Sequence, residues 1–213
     1  MKENEVLNTG TTTVGIMCKD CVVLAADKRA TAGNFIASKK VDKVFPINDK
    51  MVITTAGVVS DIQLLVKLLK AELKLKNIRV DRESSVKEAA NLLTNIIYNN
   101  VRKFTAIPGI THFLLAGVDN SNAVQLYDLY ADGSITEVDD FVSSGSGSVI
   151  AYGVFESTYK KDMTEAEGVE MAIKSVNAAM QRDSASGEGI DVYVVSKSGV
   201  KKAAHKKVNT RAE

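Results

Sequence analysis

Strand-forming runs and helical segments alternate along this chain in an order that predicts a layered α+β fold, two packed antiparallel sheets with helices outside them. Three observations carry the expectation. Extended, apolar-rich runs fill the chain from Thr11 to Ala56 and return between Thr111 and Val142. A pair of helical segments follows each set of strands. Two capping-box patterns, Ser85 with Glu88 and Thr164 with Glu167, mark helix starts independently of periodicity.

The first strands are predicted at Thr11–Cys18 and Cys21–Asp27, joined through Lys19-Asp20. Apolar residues stand on both faces of each (Val14, Ile16, Met17; Val22, Val23, Leu24), so this hairpin should be covered on both sides. A short extended piece around Phe35–Ala37 precedes strands at Val44–Ile47 and Met51–Ala56. Ser60–Lys76 repeats Ile62, Leu65, Val66, Leu69 and Leu73 at helical spacing, with Lys67, Lys70 and Lys74 between them. A second helix is predicted over Ser85–Phe104. Strands follow at Thr111–Val118, Ala123–Tyr130 and Ile135–Val142, with Asp119-Asn120 and Asp132-Gly133 as turns. One helix should follow the Gly145-Ser-Gly-Ser148 turn, and another should run from Thr164 to about Arg182. A strand at Asp191–Ser196 and a hairpin through Lys197–Gly199 close the fold; from about Lys201 the tail carries no motif.

With 213 residues, 45% hydrophobic and 25% charged, the chain has room for a sizeable core. Only Pro46 and Pro108 interrupt it and no linker divides it, which predicts one domain. A net charge of +1, from 27 basic and 26 acidic residues, leaves no electrostatic footprint for nucleic acid or a charged membrane surface. No apolar run approaches the ~20 residues of a transmembrane helix. Met1–Gly10 has two acidic residues and no apolar core, so it does not read as a secretory signal, and a cytosolic location is expected. Cys18 and Cys21 form a CxxC without further ligands nearby, and read as small residues flanking a tight turn rather than as a metal or redox site.

The chemistry must do without histidine. His112 lies in an apolar strand and reads as structural; His205 lies in the basic tail and reads as solvated. A Ser-His-Asp triad therefore lacks its base. Gly145–Ser148 could offer backbone N–H groups to an anion but has no third glycine of a dinucleotide fingerprint. A threonine freed as a chain start carries nucleophile and base on one residue, since its α-amine has a reference pKa of about 7.7–8.0. The Thr9-Gly10-Thr11 junction, followed by Thr12-Thr13-Val14-Gly15, is where such a cut would fall. Lys43 is the nearby cation that would favour the alkoxide, and Asp27 the carboxylate that would hold it. A two-residue turn at Lys19-Asp20 pairs Thr12 with Asp27 and Thr11 with Lys28, which points the Thr11 and Asp27 side chains to opposite faces. A bulge or a three-residue turn would bring them together, and the pattern alone does not choose. Asp183, Ser184 and Ser186 follow a helix end, and Gly57 follows a strand; each also reads as ordinary turn chemistry.

The stretch from Thr11 to Lys43, the Gly-Ser-Gly-Ser turn and the segment Gln181-Arg-Asp-Ser-Ala-Ser-Gly187 together resemble the catalytic archaeal-type β subunits of proteasomes, over roughly Gly10 to Ser196. The resemblance implies a four-layer αββα sandwich, the N-terminal-nucleophile hydrolase fold. It implies a propeptide, residues 1–10, removed autocatalytically at Gly10–Thr11 to leave a single catalytic domain, 11–213. By resemblance Thr11 is the catalytic threonine, Asp27 and Lys43 are its partners, and Arg29 is a neighbouring structural cation. Ser146, Asp183 and Ser186 would surround the nucleophile with hydrogen bonds. Gly57 N–H would stabilise the oxyanion, the Thr31 and Gly57 backbones would clasp substrate, and Ala30, Val41, Thr55 and Val59 would line the specificity pocket. The implied activity is a threonine endopeptidase of broad specificity, with no metal or organic cofactor. Its implied partners are proteasome α subunits, further β subunits in heptameric rings of a four-ring particle, an ATPase unfoldase acting through the α ring, and unfolded polypeptide. A non-catalytic ring subunit would be expected to lack Thr11, Asp27 or Lys43. A related bacterial protease would share the threonine-rich start but not the Arg182–Gly187 segment, and a small-molecule amidohydrolase would more often use Cys or Ser.

Overall fold

The computed structural model describes residues 10–105 and 108–207, with side chains through His205. Met1–Thr9, the bulk of the expected propeptide, lie outside the described residues. The chain opens with β1 (Thr13–Met17) and β2 (Cys21–Asp27), paired antiparallel about Lys19-Asp20 with Met17 opposite Val22. Cys18 donates its N–H to the Cys21 carbonyl at 2.8 Å, and both thiols are free and buried. A two-stranded ribbon follows, β3 (Ala30–Ala32) and β4 (Phe35–Ser38), where the sequence suggested one extended piece. Then come β5 (Val44–Asn48), β6 (Met51–Gly57), and the helices α1 (Val59–Val80) and α2 (Val86–Val101). Helix α1 continues past Lys76 and stops at Asp81, whose φ of 50° is left-handed. Helix α2 starts at the predicted capping box, with Ser85 and Glu88 bonded reciprocally.

The second half repeats the order with β7 (Thr111–Val118), β8 (Val124–Leu129), β9 (Ile135–Val138) and β10 (Phe141–Ser144). It continues with α3 (Ser148–Thr158), α4 (Glu165–Met180), β11 (Gly189–Ser196) and β12 (Gly199–Lys207). The single strand expected over Ile135–Val142 is two strands in different sheets. β9 pairs with β8, and β10 pairs with β1. Apolar alternation runs through both and hides the crossing, which falls at Asp139-Asp140; there the Asp140 carbonyl accepts Met17 N–H at 2.7 Å. The tail without a motif forms most of edge strand β12.

One sheet has the order β10-β1-β2-β11-β12 and the other β5-β6-β7-β8-β9, all pairs antiparallel. Strand alternation sorts their side chains into three apolar layers. On β2, Val23 and Ala25 face α3 and α4, while Val22, Leu24 and Ala26 face the other sheet. On β7, Phe113 and Leu115 face α1 and α2, while Leu114 and Ala116 face the first sheet. The result is the four-layer helix–sheet–sheet–helix sandwich, and it explains why the central strands are apolar on both faces. Among the described residues no helix is long and apolar enough to cross a membrane.

Candidate active site

Thr11 sits just ahead of β1, 4% exposed, at the end of the first sheet where β2 finishes and the β10–α3 turn crosses over it. Its hydroxyl donates to the Gly10 carbonyl oxygen at 2.6 Å, so the hydroxyl and the preceding carbonyl are in contact. Its backbone N–H points to Ser146 Oγ at 3.3 Å. Gly10 is tightly enclosed: an added Cβ would lie 1.6 Å from the Ala185 Cβ. Gly10 N–H donates to Thr31 Oγ1 at 3.2 Å.

The Asp27 carboxylate, fully buried at the end of β2, gathers four donors. Oδ1 accepts Lys43 Nζ at 2.7 Å and Thr12 N–H at 3.0 Å; Oδ2 accepts the N–H groups of Arg29 and Gly187, both at 2.9 Å. The β1–β2 register is the two-residue-turn one, with no bulge, and Asp27 N–H meets the Thr12 carbonyl at 3.2 Å. The carboxylate thus grips the backbone beside Thr11, and Lys43 comes to it from the irregular segment ahead of β5. Lys43 is 5% exposed, its carbonyl accepting Thr55 N–H at 2.9 Å. Burial pulls its ammonium below the ordinary lysine range, and the Asp27 charge and hydrogen bond oppose that pull.

A second cluster lies on the nitrogen side of Thr11. Ser146 Oγ donates to Asp183 Oδ2 at 2.7 Å and Ser186 Oγ donates to the same oxygen at 2.6 Å. Ser186 therefore accepts from Thr12 Oγ1, 2.7 Å away. The glycines around Ser146 are required by contact. A Cβ on Gly145, at φ 90°, would lie 2.0 Å from the Thr11 carbonyl oxygen, and one on Gly147 would lie 2.0 Å from Thr12 Oγ1. Gly147 N–H goes to that same Thr11 carbonyl at 3.3 Å, so this donor of the turn serves the threonine strand rather than an anion. Arg29 holds the far loop, donating to the Ser184 carbonyl at 2.7 Å and pairing with Glu188 at 3.1 Å.

Thr11 and Lys43 line one cleft of about 470 Å³ including its open mouth, and Ala30, Thr31, Val41, Thr55, Gly57 and Val59 line it with them. Gly57 has φ 122°, and a Cβ there would lie 2.2 Å from the Ile110 carbonyl oxygen, so the strand end is open only to glycine. Phe45, Ile62 and Gln63 also line the cleft and escaped the sequence reading. Phe45 comes from β5 and the other two from the first turn of α1, so no local spacing links them. The structure therefore groups the sequence-predicted residues around Thr11 in two clusters and a cleft. Among the described residues no set of three or more His, Cys, Asp or Glu could hold a metal ion. His112 bonds Asp128 across β7 and β8, away from this cleft's lining. His205 is not merely solvated, because its Nδ1 lies 2.6 Å from buried Asp191.

Compared with known proteins, residues 7–195 match the family model described as "Proteasome subunit". A proteasome subunit beta of Ferroglobus placidus is 48% identical over 187 residues, 88% of this chain and 87% of that protein. The same subunit of Archaeoglobus profundus is 47% identical over 190 residues, covering 89% and 86%. That of Archaeoglobus fulgidus is 44% identical over 192, covering 90% and 88%. The four-layer sandwich is thus the N-terminal-nucleophile hydrolase fold. The chain belongs to the proteasome subunit family, among its archaeal-type β subunits.

Proposed function

We propose that this chain is a threonine endopeptidase subunit of the proteasome core particle, made as a precursor that cuts itself between Gly10 and Thr11. The observation that carries the reading is the Thr11 hydroxyl, 2.6 Å from the Gly10 carbonyl oxygen and sharing a cleft with Lys43, which is paired with the buried Asp27. In processing, the hydroxyl oxygen adds to the Gly10 carbonyl carbon and the C–N bond breaks. The hydroxyl proton ends on the departing Thr11 nitrogen, which is thereby freed as the α-amine. Water then hydrolyses the resulting ester, releasing residues 1–10 as a carboxylic acid and restoring the Thr11 hydroxyl.

In turnover the same oxygen attacks a substrate carbonyl and its proton passes to the new α-amine, then to the leaving peptide amine. Water, giving a proton to the same α-amine, next hydrolyses the acyl ester and restores the Thr11 hydroxyl. Lys43, held by Asp27, stabilises the developing alkoxide by its charge. The Gly57 N–H serves as the oxyanion donor. An extended substrate lies between the Thr31 and Gly57 backbones, a mode that reads main chain more than side chains. Its side chain enters the pocket of Ala30, Val41, Thr55 and Val59, which favours uncharged groups and broad specificity. Ser146, Asp183 and Ser186 hold the amine in place. The partners are α subunits, further β subunits in heptameric rings of a four-ring particle, and an ATPase unfoldase delivering unfolded polypeptide through the α ring, in the cytoplasm.

Intact-mass measurement after assembly with α rings tests the processing step. The expected product begins at Thr11, and a Thr11→Ala chain keeps residues 1–10 and cuts no peptide. Peptide hydrolysis by either an unprocessed chain or Thr11→Ala would overturn the reading.

A further inference from the structure

Behind the Asp27–Lys43 pair lies a second ion pair, built from the residue next to each in sequence. Lys28 follows Asp27 at the end of β2, Asp42 precedes Lys43, and Lys28 Nζ pairs with Asp42 Oδ1. The two pairs cross-link the same two stretches of backbone with their charges reversed. On its other side Lys28 Nζ reaches Asp191 Oδ2 at 2.6 Å. Asp191, on β11, takes Lys202 Nζ at 2.7 Å and His205 Nδ1 at 2.6 Å on its other oxygen, both from β12. The chain of charges therefore runs from the C-terminal edge strand to the segment that presents Lys43.

That segment, Lys39–Lys43, belongs to no strand. Its backbone is tied by Val41 N–H to the Lys28 carbonyl at 3.1 Å and by the Lys43 carbonyl to Thr55 N–H at 2.9 Å. Asp191 already supplies a buried counter-ion for Lys28, which is itself 8% exposed. Burial does not demand a second carboxylate, and the Asp42 side chain is 65% exposed. What the Lys28–Asp42 contact adds is a tether between a buried anchor and the residue just before Lys43.

We propose that Lys28, braced between Asp191 and Asp42, is a positioning residue that fixes segment Lys39–Lys43 and so holds the Lys43 ammonium on Asp27 and beside Thr11. The proposal rests on the endopeptidase reading of the same site. Lys28 does not line the cleft, so its effect should fall on turnover rather than on substrate binding.

The test uses assembled, processed particles and a fluorogenic peptide. Lys28→Met should lower kcat about tenfold or more, given what a misplacement of ~1 Å costs. KM should stay within about twofold, the mark of a group acting on the chemical step. A limb of the kcat–pH profile should move, because a loosened Lys43 changes the field on the amine, and Lys28→Arg should restore both readouts in large part. Should Lys28→Met fail to assemble, Asp42→Asn carries the test. Asp42 itself lines the cleft, so KM is not diagnostic for it, and a smaller kcat loss with the same displacement of the pH limb is expected. Wild-type kcat and pH limbs in Lys28→Met, or in Asp42→Asn, overturn the proposal. So does a loss that leaves the pH profile unmoved and that Lys28→Arg does not relieve, since that is mere destabilisation. Thr11→Ala separates the two levels: if it still cuts peptide the endopeptidase reading fails, whereas a dead Thr11→Ala beside unaltered Lys28 and Asp42 variants defeats the positioning role alone.

Discussion

Replacing Asp27 by Asn should be the most costly single-atom change in the site, and the reason lies in how its oxygens are used. Each takes two donors: Lys43 Nζ and Thr12 N–H on one, Arg29 and Gly187 N–H on the other. An amide keeps one acceptor end. Whichever way it turns, its NH2 faces two donors, and the Lys43 ammonium loses its ion-pair partner at 5% exposure. Breaking a buried ion pair from one side costs about 3–5 kcal/mol, against a total domain stability of about 5–15 kcal/mol. Lys43→Met should cost less. It leaves the carboxylate with three backbone N–H donors, so both of its oxygens stay partnered without any lysine. Asp27→Asn with Lys43→Met should then cost less than the two singles summed, by roughly 1–3 kcal/mol of coupling. Urea unfolding of the full chain, wild type and the three variants, measures all four corners. Additive losses, or a Lys43→Met cost equal to that of Asp27→Asn, would refute the claim that backbone donors hold Asp27 and that Asp27 holds Lys43.

Gly57→Ala places a Cβ 2.2 Å from the Ile110 carbonyl oxygen at φ 122°, so the strand end must move and kcat for peptides should fall at least ~100-fold, read by steady-state kinetics on assembled particles. Asp191 feels burial pushing its pKa up, but the hydrogen bonds of Lys202, Lys28 and His205 outweigh it and hold the carboxyl down at about 2. A depressed carboxylate stabilises the fold above its unfolded pKa, and that contribution is lost as pH falls through the folded value. Asp191→Asn should therefore shrink the difference in unfolding free energy between pH 7 and pH 2 by about 2 kcal/mol, as measured by urea titration at both. In the proposed processed enzyme, Asp183→Asn removes a negative charge near the Thr11 amine, which lowers that amine's pKa. The acid limb of kcat/KM should move to lower pH by up to about one unit, and a shift to higher pH would contradict the placement.

Much of the architecture was legible because its causes are local. Capping boxes at Ser85 and Thr164 and two-sided apolar strands are properties of short windows, and the structure keeps them. The two-residue turn at Lys19-Asp20 even gave the pairing of Thr12 with Asp27 correctly. What was not legible depends on distant partners. Asp139-Asp140 looks like an interruption within one strand until β1 is there to receive the second half. His205 reads as a solvated charge in the tail, and Lys28, Asp42 and Asp191 carry no local signal; the pairing of β11 with β2 and of β12 with β11 is what joins the four into one network. Phe45, Ile62 and Gln63 meet only where α1 begins over β5.

The register that seemed to forbid the site also shows how it is assembled. Strict alternation would send the Thr11 and Asp27 side chains to opposite faces, and no bulge shifts the β1–β2 register, but Thr11 lies ahead of β1, where strand alternation no longer applies. The Asp27 carboxylate folds back onto backbone N–H groups, and the long Lys43 side chain brings charge to the cleft that Thr11 lines. A similar economy governs the nitrogen side. Asp183 touches Ser146 and Ser186, and it is Ser146 that meets Thr11 N–H. A bare carboxylate in direct contact would hold a freed amine as ammonium and disable it as a base. A hydroxyl interposed between them anchors the nitrogen while keeping the full charge one hydrogen bond further off. The proposed division of labour follows from that arrangement: the lysine cation acts on the alcohol, the aspartate anion acts at one remove on the amine, and the threonine between them can lose a proton from one end to the other.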